Sequence, residues 1–458
     1  MIRNWLDKDL STILFIAWFS CGVVATTAGF LGIFYPAVSI SLALPLLVIL
    51  AICIRKCTSL RVLSIKEKII LIAIVAWWLL HLIQVFTPET GFDAVWYHLP
   101  LAKVVNEAHR FIGTLEFYQS FNPQFSDSFF YLGFAAIGEV GTKIVAYLFG
   151  LSTIVVTYFL SKKVLNKTWS LLVVLLISGF QVISWQSASF YVDVAKAYWE
   201  LSSLLFLLSK PQQILKAGFS FGASLATKLF SIALLPVMIL ITLLQDGKKT
   251  AIHFSVAAIS VALPFYIFAY QISGNPFYSL FEHVSKLQEI GGSDSTINYI
   301  VLRTVQLPLS LYQMIVNREY TTPLLLLFIP LVITYWEKLH KDKLLFSLTI
   351  FSLYQLALWW WLPPTSVRYA LSGFITATIV TVTLVNWFAK QHKLPHNIIV
   401  LFLILCGLLF MPIRVYVAAR SAAYLLHLQT KDQYLKQFLD GNIDTHLKKW
   451  HRDVFFSN

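Results

Sequence analysis

The sequence predicts an all-α integral membrane protein, a bundle of about thirteen transmembrane helices, and three observations predict it. First, 58% of the residues are hydrophobic and only 12% charged, against about 25% charged in an ordinary soluble domain. The mean hydropathy is +0.72. Second, apolar runs long enough to cross a bilayer recur from residue 10 to residue 413, separated mostly by short turns. Third, Lys and Arg gather in small groups in alternate turns, the bias that marks cytoplasmic loops. A soluble fold of this length could not hide so much apolar surface, so the chain reads as one membrane domain, 1–413, with a short polar tail, 414–458. The formal charge of +13 is spread over many turns rather than one patch, which excludes a nucleic-acid partner.

Runs at 10–34 and 36–54 precede Arg55, Lys56, Arg61, Lys66 and Lys68, a cluster that belongs in the cytoplasm. The N-terminus is then cytoplasmic too, and its first run, lacking a small-residue cleavage site, reads as a retained signal anchor. A span at 69–86 leads outward into a long polar loop, about 87–142. Spans at 143–161 and 168–184 flank Lys162, Lys163 and Lys167 on the inside, and the outer turn 185–193 has no base. The stretch 217–244 lies between Lys216 and the Lys248, Lys249 pair, all on the cytoplasmic side, which one crossing cannot satisfy. Two short helices meeting near Thr227 and Lys228 satisfy it, because broken backbone is tolerated where it lines a cavity. After a span at 252–272 comes a second outer loop, about 273–321, and then spans at 322–336, 344–362, 370–389 and 396–413. Cys21 and Cys406 lie in apolar runs and Cys53 and Cys57 at a membrane edge, so the four cysteines read as small apolar residues, without disulfide or zinc spacing.

Asp93 follows the end of a span by a few residues, where a carboxylate reaches the lipid–water boundary. That position suits a base that deprotonates a polar acceptor while the second substrate stays anchored in lipid; the plainer reading is an N-cap of the next helix. Asp193, Lys196 and Glu200, at i, i+3 and i+7, share one face of a descending helix. They form either a polar wall of a site or a self-satisfied ion-pair stripe. Glu139 and Lys143, at i and i+4, read as a helical ion pair. His98 either binds a ligand or is a structural interfacial histidine.

The run Gly-Phe-Asp-Ala-Val-Trp-Tyr-His-Leu-Pro around Asp93 precedes Asn122-Pro123-Gln124 and Gly138-Glu139-Val140-Gly141-Thr142-Lys143. Tyr191-Val192-Asp193, then Gly222 to Lys228, Gly274-Asn275-Pro276 and Arg368-Tyr369 follow in order. Over about residues 70–375 this series resembles the C-type (GT-C) membrane glycosyltransferases, closest in look to bacterial relatives of the protein O-mannosyltransferases and of the aminoarabinose transferases that modify lipid A. The resemblance implies a GT-C-like bundle whose extracytoplasmic loops form the active site, in the inner membrane of a bacterium. It implies an inverting hexosyl or pentosyl transfer from a polyprenyl-phosphate carrier to a glycan, lipid or protein acceptor, with membrane lipid around the site. Asp93 takes the role of the family's base, and Asp193 that of a second acid that orients the acceptor or, with Asp93, helps hold a divalent cation. Lys228 and Arg368 then meet the donor phosphate, the alternatives being a counter-ion to Asp193 and a snorkelling interfacial base. Tyr97, His98 and Tyr369 complete the expected substrate-binding set. The rival readings are a polytopic transporter or lipid flippase, which also uses broken helices and intramembrane charges, and a non-catalytic scaffold.

Overall fold

The computed structural model describes residues 2–38, 41, 63–114, 118–209, 212–278, 296–316, 319–361 and 366–439. Most of the expected span 36–54, with Cys53, Arg55, Lys56, Cys57 and Arg61, lies outside the described residues, as do 279–295 of the second loop and 440–458 of the tail. The described secondary structure is helical: α1 (Ile2–Leu31), α2 (Ile65–Val85), α3 (Leu99–Ala108), α4 (Asp127–Ser161), α5 (Lys167–Ser178), α6 (Gln181–Gln186), α7 (Asp193–Leu207), α8 (Ile214–Leu225) and α9 (Leu235–Asp246). Then come α10 (Lys248–Ser273), α11 (Thr296–Val316), α12 (Phe328–Thr334), α13 (Trp336–Leu339), α14 (Lys343–Trp361), α15 (Leu371–Gln391), α16 (His396–Leu408), α17 (Met411–Leu425) and α18 (Lys431–Leu439). Among the described residues, eight helical stretches are long and apolar enough to cross a membrane.

α7 is the axis of the fold. All of its residues are buried, including Asp193, Lys196 and Glu200, as expected of a helix surrounded by others rather than by lipid. It packs between α4, α8 and α15. α8 in turn lies on α10, and Gly218 and Gly222, four apart, permit the approach: a Cβ at Gly222 would stand 2.5 Å from the Ala258 carbonyl oxygen. At the other flank α2 is fixed by a capping box between Ser64 and Glu67. Its Trp77 indole donates to the Gly407 carbonyl at 3.1 Å, tying it to α16.

The long stretch 217–244 is broken as the charge pattern requires. α8 ends at Leu225, Lys228 has extended backbone, and a 3-10 turn (Leu229–Leu234) leads into α9. The expected loops hold more helix than their polarity suggested. Within 87–142 lie one π-helical turn (Ala94–His98), α3 and the first part of α4, and within 273–321 lies α11. α4 starts at Asp127 rather than 143 because Phe129, Phe130, Tyr131 and Leu132 form a buried apolar first turn and a half. Its path kinks at Ile137 and at Gly138, whose φ of +64° suits glycine. The last expected span also runs on, through α17 to Leu425, and buries Arg414, which donates to the Ser184 carbonyl at 2.8 Å.

Candidate active site

Two loops that end in aspartates are joined side by side. After α2, the Glu89 carboxylate turns inward and accepts from the Thr90 and Gly91 N–H groups at 2.8 Å each. It also accepts from the Ser189 hydroxyl at 2.7 Å and the Phe190 N–H at 2.9 Å, on the loop before α7. Two residues further along each loop, the Asp93 N–H donates to the Tyr191 hydroxyl at 2.9 Å. Gly91 has to be glycine here, since a Cβ would meet Ser189 Oγ at 2.5 Å and the Tyr191 ring at 2.6 Å. This lacing brings the helix starts that carry Asp93 and Asp193 together. Glu89 is not among the residues the sequence singles out; its position among Thr87, Pro88, Thr90 and Gly91 is the signal that points to it.

Neither aspartate caps a helix with its side chain. Asp93 Oδ2 lies 2.6 Å from Arg368 Nη1, and the two side chains are 15% and 20% exposed. Asp193, 1% exposed, pairs with Lys228, whose side chain is 22% exposed, and accepts from Gln186 Nε2 at 3.0 Å. So Lys228 is the counter-ion of Asp193, and Arg368 that of Asp93, while both cations keep part of their surface open to a ligand.

Tyr369 connects the pairs. Its hydroxyl accepts from Arg368 Nη2 at 3.2 Å, and its ring lies 4.4 Å from Lys228 Nζ and 5.0 Å from the Arg368 guanidinium. Its carbonyl oxygen accepts from Lys196 Nζ at 3.1 Å. Lys196 and Glu200 are a buried pair at 2.9 Å, and Glu200 also accepts from Ser224, Ser231 and Ser372. Of the three charged residues on that face of α7, Lys196 and Glu200 pair with each other, while Asp193 pairs with Lys228 instead. The turn bearing Arg368 is held by Glu319, a second residue missed in the sequence, which accepts from the Val367 N–H at 2.6 Å and from the Ser366 hydroxyl.

Burial, and after it the Asp93 charge, push the Tyr97 and Tyr191 phenols well above their ordinary value, so both stay protonated. His98 is buried, with Nδ1 3.0 Å from Asp127 Oδ1. Glu139 and Lys143 do not behave as a simple helical pair. Each reaches into the Thr87–Glu89 turn, Lys143 donating to the Thr87 carbonyl at 2.7 Å and Glu139 accepting from the Glu89 N–H. Among the described residues no three His, Cys, Asp or Glu side chains converge as ligands for a metal ion. Asp93 and Asp193, the two acids expected to help hold a divalent cation, are each paired with a basic side chain in this structure.

No protein-family model matches the chain and no curated protein matches it. Solved structures do. ArnT of Cupriavidus metallidurans, a lipid A aminoarabinose transferase seen bound to undecaprenyl phosphate, aligns with a TM-score of 0.52 at 13% identity, covering 78% of this chain and 70% of that one. Its apo state gives a TM-score of 0.51 at 13% identity over 79% and 71%. The oligosaccharyltransferase AglB of Archaeoglobus fulgidus, in complex with an inhibitory peptide and a dolichol-phosphate, gives 0.47 at 14% identity over 78% and 56%. The fold of this chain is that of the GT-C membrane enzymes.

Proposed function

We propose that the protein is a glycosyltransferase that moves a sugar from a polyprenyl-phosphate carrier to an acceptor hydroxyl, with Asp93 as the general base. The observation that carries this reading is the double ion pair: two carboxylates and two cations, bridged by Tyr369, with the two cationic side chains partly exposed. A phosphodiester entering the site offers oxygens to Arg368 and Lys228. Arg368 exchanges the Asp93 carboxylate for a phosphate fork, and Asp93 is released toward the acceptor. The acceptor O–H then gives its proton to Asp93 as its oxygen attacks the anomeric carbon. The bond from that carbon to the phosphate oxygen breaks, and the polyprenyl phosphate leaves with one more negative charge, which Arg368 and Lys228 meet. Attack opposite the leaving group inverts the anomeric centre. Asp193, buried behind Lys228, fixes that lysine's position and charge.

The reading places the site on the extracytoplasmic face of a bacterial inner membrane, with the N-terminus in the cytoplasm, where lipid-linked donors present their sugars. The acceptor is a glycan, lipid or protein. The transporter and flippase alternative has no use for a carboxylate released by phosphate. The test is to incubate the purified full-length protein with short-chain polyprenyl phosphates carrying hexoses or pentoses and a mixture of envelope glycolipids, and to follow the products by mass spectrometry. A glycosylated acceptor together with free polyprenyl phosphate supports the reading; passage of intact donor across vesicle membranes without sugar transfer supports the flippase.

A further inference from the structure

Beside Lys228 lies a small cavity of about 30 Å³, lined by Tyr97, His98, Gln119, Asp127 and Thr227 among others. It has room for about two water-sized groups. Two of its wall residues carry unspent hydrogen-bonding atoms. His98 is 3% exposed and its Nε2 has no partner among the described residues; Gln119 is 4% exposed and its Nε2 has none either. The Asp127 carboxylate, 3.0 Å from His98 Nδ1, accepts, so the neutral imidazole carries its hydrogen on Nδ1. That leaves the His98 Nε2 lone pair as an acceptor and the Gln119 amide as a donor on one cavity. Their joint complement is a hydroxyl, which donates and accepts at once. An anion would satisfy only the amide, and an ammonium only the imidazole.

We propose that this cavity lodges one hydroxyl of the transferred sugar and that His98 and Gln119 determine which sugar is accepted. The inference rests on the glycosyl-transfer reading. The cavity borders Lys228, assigned there to the donor phosphate, and Tyr97, four residues from the base. The group that lies between phosphate and base in that mechanism is the sugar itself. Both residues act by positioning and selection, since the proton transfer belongs to Asp93.

The test begins with the short-chain polyprenyl-phosphate sugar that the wild-type protein transfers fastest, compared with its series of monodeoxy analogues. One deoxy position is expected to lower kcat/KM about 100-fold or more, because its absence leaves both wall atoms unpaired. In His98→Leu the parent sugar should fall to the level of that one deoxy analogue, which itself changes little; Gln119→Met should flatten the same position. A uniform loss over all analogues in both variants overturns the pocket, since it marks a purely structural role. Equal transfer of every deoxy analogue by the wild-type protein overturns it too, the cavity then holding only water. Transfer of no sugar from any donor overturns glycosyl transfer itself, and the pocket falls with it; that failure is visible in the wild type before any variant is made.

Discussion

Asp93 and Arg368, 275 positions apart in the sequence, meet in an ion pair of 2.6 Å at the edge of the site. The pair makes the resting site electrically quiet and ties the base to the cation that the donor phosphate needs. Arrival of phosphate and release of the carboxylate are therefore one event in the proposed mechanism, and each partner has its own signature.

Replacing Arg368 by Lys keeps the charge and removes the fork that spans Asp93 and Tyr369. The loss of one charge-assisted hydrogen bond to phosphate corresponds to about 2 kcal/mol, or roughly a 30-fold fall in kcat/KM. Steady-state kinetics with varied donor should show this fall, with the acceptor KM unchanged.

How much of this site could be read from the sequence divides along a physical line. The charged ends of the interactions were visible, because Asp93, Asp193, Lys228 and Arg368 are out of place against an apolar, positive-inside background. The break at Lys228 was visible for the same reason: two lysine groups on one side forbid a single crossing. Glu89 and Glu319 were not visible. They contribute by accepting backbone N–H groups of distant loops, which requires knowing that residues 89–93 run beside 189–193 and that residue 319 lies under 366–367. Helix extents inside the two loops escaped as well, since α3 and α11 carry enough polar residues to read as loop. The likeness to the GT-C enzymes concerned the order of short motifs, and the fold has that architecture.

Lys228 and Asp193 predict a thermodynamic coupling. Lys228→Met strands a carboxylate that is 1% exposed, at a cost of about 3 kcal/mol, while Asp193→Asn combined with Lys228→Met removes both charges and recovers most of that loss. Thermal unfolding of the four proteins in one detergent gives the coupling. If the two variants are additive, the ion pair contributes nothing to folding.

Tyr97 and Tyr191 give a pH dependence with a definite sign. Their folded-state phenols are held above the ordinary value, so the stability they contribute is complete below about pH 10 and declines as pH rises beyond it, where the unfolded chain can release protons that the folded chain retains. Tyr191→Phe should flatten part of that alkaline decline in an unfolding titration. It also removes the acceptor of the Asp93 N–H and so lowers turnover at neutral pH.

The central claim is that Asp93 is the base and is released by donor phosphate, and Asp93→Asn tests it in one comparison of donor affinity with single-turnover transfer. The account predicts that donor binds the variant as tightly as the wild type or more tightly, because Arg368 no longer has a competing carboxylate, while transfer falls by about 10²- to 10⁴-fold. Transfer at the wild-type rate, or a loss explained wholly by weaker donor binding, would contradict it.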